Sequence, residues 1–264
     1  MLDEIPKVIH AVWFGGPIPD EELANVRSWQ QHLQGWPIIL WTDKAGRRGP
    51  WTEERIVDWD KTMFAGVVPS FQDLFQGCAR YGAMSDVLRL DILLKEGGLY
   101  MDLDIEVKSG ISIALNPMYL TAFEEGNGTD MWIGNAMLAA SPWHPAVSAC
   151  LRAVHKQLID SCIGASILAP SPHFPRPDPP PGGYVPHNPV YETGPRIITK
   201  ALAGRDDVML IPAAACCPGL IGKSGSVMFD HKFKSRWLEG SGHERTPTVN
   251  DLRHRIGTVP TKAV

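Results

Sequence analysis

A chain of 264 residues with 44% hydrophobic and 20% charged residues is long and apolar enough to build one α/β domain around a sizeable core. Its formal net charge of -4 gives no general attraction to nucleic acid or anionic membrane, and no stretch reaches the roughly 18 apolar residues of a membrane span. Five cysteines, an odd number without a C-x-x-C pair, fit neither a disulfide framework nor a cysteine zinc site.

The first residues, M-L-D-E-I-P-K, lack the basic and then apolar segments of a signal peptide, so a cytoplasmic protein is expected. Val8 to Phe14 is apolar and β-branched and stops at Gly15-Gly16-Pro17, which predicts a buried strand ending in a loop. Asp20 to Leu33 has helical spacing, with Leu23, Val26, Trp29 and Leu33 on one stripe, and Pro37 to Trp41 is a second short strand. Strand, helix and strand in that order suggest a βαβ unit. Helices are expected over Glu53 to Phe64 and Cys78 to Leu94, the latter stopping at Gly97-Gly98. Leu99 to Val107 and Trp132 to Ala140 read as strands, His144 to Leu158 and Gly194 to Ala203 as helices, and Val208 to Pro212 as a strand. Residues 169–189 contain nine prolines, which excludes a persistent helix or ladder strand and predicts an extended loop, lid or flap. Residues 1–240 are thus expected to form a single domain, followed by a polar, flexible tail over 241–264.

The chemistry concentrates in Tyr100-Met101-Asp102-Leu103-Asp104-Ile105-Glu106-Val107. On a strand, Met101, Leu103, Ile105 and Val107 face the core, and Tyr100, Asp102, Asp104 and Glu106 face the other way. The three carboxylates then stand in file, neighbours about 6.5 Å apart. Like charges at that spacing need water, an arginine or a cation beside them. A solvated strand face satisfies this, as does a hard divalent cation such as Mg²⁺ or Mn²⁺, for which oxygen ligands are suited. Asp86 and Arg89, three apart, share a face of the preceding helix. Alone they read as a surface ion pair, but that helix delivers the chain straight into the acidic segment.

Together, Ser85-Asp86-Val87-Leu88-Arg89 and Gly97-Gly98-Leu99-Tyr100-Met101-Asp102-Leu103-Asp104 resemble the S-D-x-x-R…G-G-x-Y-x-D-x-D signature of the DXD-motif sugar transferases. That family includes yeast-type α-1,6-mannosyltransferases, α-1,4-galactosyltransferases and the catalytic domains of clostridial glucosylating toxins. The resemblance begins at Ile5 to Gly16, is strongest through Val107, and continues in Asn135 to Pro145, Glu192 to Pro195 and His231 to Trp237.

It implies a GT-A-like (Rossmann-like) α/β domain with a mostly parallel central sheet flanked by helices, and hexose transfer from a nucleotide-sugar donor with retention of configuration. By the resemblance Trp13 stacks on the nucleobase, and Asp86 and Arg89 hold sugar or ribose hydroxyls. Asp104 is the direct ligand of a Mn²⁺ or Mg²⁺ ion, Asp102 reaches that ion partly through water, and His231 is a third ligand. Tyr100, Asn135, Ser235 and Trp237 complete the donor-binding set, and Asp102, Asp104, Arg89 and Asp86 form its catalytic part. The Val12-Trp13 opening favours UDP over GDP. The acceptor is left open among glycan, small-molecule scaffold, lipid and protein, and a lipid-linked one would place the protein at a membrane surface. Two alternatives stand beside this one: a non-catalytic nucleotide- or carbohydrate-binding protein, and a D-x-D metal-dependent phosphatase.

Overall fold

A computed structural model describes residues 4–75, 79–108, 115–126, 131–164, 189–216 and 228–231. The expected Pro-rich loop, the C-terminal tail, Ser235 and Trp237 lie outside the described residues. A seven-stranded sheet is built from β1 (Ile9–Trp13), β2 (Ile38–Thr42), β3 (Glu53–Ile56), β4 (Gly98–Met101), β6 (Leu120–Gly126), β7 (Met131–Ala140) and β8 (Val208–Ile211). The spatial order is β3-β2-β1-β4-β7-β6-β8, and β5 (Ile105–Val107) forms a separate ribbon with β9 (Phe229–His231). Four pairings in the main sheet are parallel and two, both made by β7, are antiparallel. The sheet is therefore mostly parallel, as the sequence suggests.

Helices cover both faces. On one lie α3 (Ala79–Glu96), α4 (Pro145–Gly164) and α6 (Pro195–Leu202), whose Val87, Leu90, Leu94, Val154 and Ile198 pack with Tyr100 and Leu138 of the sheet. On the other lies α1 (Asp20–His32), whose Val26 and Trp29 pack with Ile9, Leu99 and Met101. Short helices α2 (Phe71–Leu74), α5 (Pro189–Glu192) and α7 (Ala213–Cys216) join these elements. Cys150 is a buried free thiol inside α4, in keeping with the cysteine pattern. Among the described residues no helix is long and apolar enough to cross a membrane.

Two expectations change. The helix expected over Glu53 to Phe64 is instead β3 and a 3-10 turn at Trp59–Lys61. The parallel partner β2 captures Glu53 to Ile56, so pairing overrides a helical spacing that had no long apolar stripe to anchor. The strand expected over Leu99 to Val107 is broken in the middle. After Met101 the Asp102 N–H donates to the Ala136 carbonyl, and the Ile105 N–H turns back onto the Asp102 carbonyl, so β5 leaves the main sheet for β9.

Candidate active site

The turn between β4 and β5 carries Asp102 and Asp104 at the C-terminal edge of the parallel strands, next to the end of β1. In an open α/β sheet this is where ligands settle, at the point where successive connections leave a strand on opposite sides. Here β1 connects outward to β2 on one side and has β4 on the other. Gly97 and Gly98 make the entry possible. Their φ values are +65° and +92°, and a Cβ on Gly98 would lie 2.9 Å from the Val8 carbonyl oxygen.

Helix α1 braces the turn from below. Asn25 Nδ2 donates to the Leu103 carbonyl at 2.9 Å, Trp29 Nε1 to the Ile105 carbonyl at 2.7 Å, and the Val107 N–H to Ser28 Oγ at 2.9 Å. These contacts fix a loop that would otherwise be free to fray. They also make Trp29 more than a core ring.

Above the turn stands a buried charge network. Arg89, with a side chain only 4% exposed, lies 3.0 Å from Asp86 Oδ1 and 3.3 Å from Asp102 Oδ1, and donates to the Asn135 carbonyl at 2.6 Å. Asp86 also accepts from Asn135 Nδ2 and from Thr193 Oγ1, both at 2.8 Å. The pair is therefore interior, not the surface ion pair that spacing alone allows. Burial pushes the Asp86 carboxyl up to about 6 against the pull of Arg89 and Thr193. Arg89 is disfavoured as a cation by burial, but Asp102, Tyr100 and Asp86 outweigh that and raise its pKa.

Tyr100 lies opposite Met101, on the Asp102 face that the alternation predicts, but that face is covered by α3. Its ring is fully buried in the core beneath α3, with the Arg89 guanidinium 4.6 Å from the ring centre. Its hydroxyl donates to Asp102 Oδ1 at 2.6 Å and lies 3.1 Å from Ser85 Oγ. Tyr100 thus reaches the site through Asp102.

From the opposite face comes His231, paired across the ribbon with Ile105. Its Nε2 lies 3.3 Å from Asp104 Oδ1. One ligand atom from each of Asp102, Asp104 and His231 can be chosen so that all lie within 4.8 Å of one another. Two carboxylates and an imidazole suit a Mn²⁺ or Mg²⁺ ion that keeps further positions for water or phosphate oxygen. Burial disfavours the His231 imidazolium, yet Asp104, by charge and hydrogen bond, holds its pKa at about 9. Burial and the Asp104 charge push the Asp102 carboxyl up, Arg89 opposing. Glu106, expected in file with the two aspartates, pairs with Lys108 at 2.6 Å instead, because the broken strand ends the period of two.

At the end of β1, Trp13 is half-buried, its indole N–H donating to the Gly16 carbonyl at 2.9 Å. Arg47 shapes the loop beside it, donating to the carbonyls of Gly15 at 2.8 Å and Gly16 at 2.6 Å and pairing with Asp43 at 2.7 Å. Two contributors, Arg47 and Glu125, escaped the sequence reading, and a third, Thr193, fell within the Glu192 to Pro195 resemblance without a role of its own. Arg47 lies far along the chain from the motif, and only folding reveals its place. Glu125, whose carboxyl is pushed up to about 7 by burial against the pull of His231, left one signal: an acid ending an apolar run just before the strand of Asn135.

The family described as a glycosyltransferase sugar-binding region containing a DXD motif matches residues 19–122. Over 111 residues the chain is 32% identical to subversion of eukaryotic traffic protein A of Legionella pneumophila, covering 39% of this chain and 17% of that protein. Over 147 residues it is 30% identical to inositol phosphoceramide mannosyltransferase 1 of Schizosaccharomyces pombe, covering 54% of this chain and 41% of that one. The match spans less than half the length of either relative.

Among solved structures, PaToxG glycosyltransferase superposes with a TM-score of 0.52 at 19% identity, over 76% of this chain and 70% of that one. The UDP-bound glycosyltransferase domain of the YGT toxin gives 0.50 at 11%, over 79% and 80%. These likenesses establish a GT-A-like fold. Residues 19–122, which hold Asp86, Arg89, Gly97, Gly98, Asp102 and Asp104, are thus the part of the chain that is similar to the glycosyltransferases with a DXD-motif sugar-binding region.

Proposed function

We propose that this protein transfers a hexose from a nucleoside diphosphate sugar, UDP-linked in preference to GDP-linked, to an acceptor hydroxyl with retention of anomeric configuration. The observation that carries this is the convergence of Asp102, Asp104 and His231 beside the buried Asp86–Arg89 pair at the C-terminal edge of the sheet. Asp104 and His231, with Asp102, would hold Mn²⁺ or Mg²⁺. When bound, that ion supplies positive charge to the diphosphate leaving group.

The protein's own residues do the rest. Trp13 offers an indole face at the end of β1 for the base, and the Arg47–Asp43 clamp keeps its loop in place. Arg89 and Tyr100 set the orientation of Asp102, while Asp86 and Asn135 present polar groups to sugar hydroxyls. The bond between anomeric carbon and phosphate oxygen breaks, the acceptor oxygen joins the same face of the sugar, and its proton leaves to the departing phosphate. Ser235 and Trp237 belong to this reading as groups that close over the diphosphate.

UDP is favoured by the Val12-Trp13 opening, and the UDP bound to the YGT toxin domain of the same fold supports the choice. The name of the S. pombe relative keeps mannose and an inositol phospholipid within the panel to be tested. The experiment is incubation of the protein with UDP- and GDP-hexoses and Mn²⁺. The acceptors are methyl glycosides, vesicles containing inositol phosphoceramide and a mixed protein extract, with products read by mass spectrometry. Sugar transfer or donor hydrolysis that stops on chelation is expected. Donor binding without any turnover would instead favour a binding protein, and release of phosphate from an aryl phosphate would favour a phosphatase.

A further inference from the structure

The sheet carries polar groups to one edge in a fixed spatial order. Trp13 ends β1, Asp102 follows β4, Asn135 lies early in the antiparallel β7, and Glu125 lies near the end of β6. With adjacent strands about 4.8 Å apart, the strand of Glu125 lies roughly 10 Å beyond β4 and about 14 Å from that of Trp13. If the base sits at Trp13 and the diphosphate at the aspartates, Glu125 stands where the sugar and the incoming acceptor must lie.

The local packing places its carboxylate. Glu125 follows Phe123 on the same face of β6, and the Phe123 ring meets the rings of Phe229 and His231 at 5.9 Å and 5.8 Å. Both side chains cross over Gly134. A Cβ there would fall 2.6 Å from Phe123 Cζ and 2.8 Å from Glu125 Oε2, so a larger residue would push the tips of both side chains aside. The carboxylate lies one residue from Asn135, on the His231 side of the site.

Its bonding sets it apart from the other acids. Asp86 accepts from Thr193 and Asn135, Asp102 from Tyr100 and Arg89, and Asp104 faces His231. Glu125 is half-buried, and no described residue donates a hydrogen bond to it. A carboxylate in such a recess is acceptor-only while ionised and gains most from neutral donors. A diphosphate would be repelled there, and the base lies at the far end of the row. A sugar presents hydroxyl donors at this position.

We propose that Glu125 accepts a hydrogen bond from a hydroxyl of the sugar substrate, donor or acceptor, and orients it for transfer. This rests on the nucleotide-sugar reading above. The test compares wild type with Glu125→Gln and Glu125→Ala, using UDP, UDP-glucose and GDP-mannose with Mn²⁺ and the acceptor panel already described. Both variants should keep the wild-type thermal midpoint and bind UDP within twofold by calorimetry, while turnover falls at least tenfold. Loss of donor hydrolysis together with transfer assigns the bond to the donor sugar, whereas loss of transfer alone assigns it to the acceptor. Unchanged turnover, or UDP binding that weakens in step with turnover, overturns the proposal. A wild-type protein that neither binds nor turns over any nucleotide sugar overturns the nucleotide-sugar reading itself, and this inference with it.

Discussion

Arg89 shows how far a single residue can depart from what its neighbours in sequence suggest. Spacing places it beside Asp86 on a helix and says nothing of depth, and an exposed pair of that kind contributes well under about 1 kcal/mol. In the fold its guanidinium has almost no solvent and serves two carboxylates, a backbone carbonyl and the face of Tyr100. Removing the cation would leave Asp86 and Asp102 facing each other without compensation. Arg89→Met should therefore cost about 3–5 kcal/mol in urea unfolding at neutral pH. A cost near zero would show that the network is open to water.

His10 gives a second test at this scale. It is fully buried, accepts from the Trp41 indole at 3.2 Å, and has its pKa lowered to about 4 by burial and by the Arg55 charge. The unfolded chain binds the proton near 6.5, so the neutral imidazole contributes stability that is complete above that pH and disappears as pH falls towards 4. The span corresponds to about 3 kcal/mol as an order of magnitude. Urea midpoints of the wild type should drop more steeply between pH 6.5 and 4 than those of His10→Asn, which keeps the acceptor without the titration. Parallel curves would refute the assignment.

Among the elements, what was legible in the sequence was whatever local pattern alone decides. β1, α1, β2, α3, β7 and α4 follow from apolar runs, stripes and the Gly97-Gly98 stop, since burial acts on the same period that the eye reads. The elements that were not legible depend on partners distant in sequence. β3 exists because β2 offers it an edge, and β5 leaves the sheet because β9 and α1 claim it. That break matters to the site, since it puts Asp102 and Asp104 on a turn where both can meet His231. An unbroken strand would have held them in file with Glu106. The bracing of the turn by α1 should then be felt at the site. Asn25→Ala leaves the buried Leu103 carbonyl without its donor and should cost about 1–3 kcal/mol. It should also weaken Mn²⁺ binding measured by calorimetry, since the carbonyl it loses lies between the two aspartates. Stability lost with Mn²⁺ affinity intact would show that the turn is held by Trp29 and Ser28 alone.

For the whole molecule, the candidate site joins residues contributed by five separate strands and by helices on both faces of the sheet. Asp102, Asp104 and His231 converge, and Trp13 and Asn135 lie on neighbouring strands, only because β1, β4 and β7 are adjacent and β5 leaves the sheet to pair with β9. The S-D-x-x-R…D-x-D segment could name the chemistry, but only the sheet order shows which distant residues share it. A ligand spanning those elements must stabilise the fold as a unit, because it binds the native arrangement and has no equivalent in the unfolded chain. At a hundred times its dissociation constant such a ligand adds about 2.7 kcal/mol. For a domain of this size that raises the melting temperature by about 5–10 °C. Melting with UDP and Mn²⁺ together should show this rise, and UDP with a chelator should show much less of it. Asp104→Asn removes a carboxylate from the Asp102, Asp104 and His231 cluster while leaving Trp13 and its loop untouched, so it should lose the metal-dependent part of the shift and keep the remainder. An equal rise in the presence of chelator, or in the variant, would mean that nucleotide binds without the aspartate cluster, and the metal-assisted transfer proposed for this site would lose its foundation.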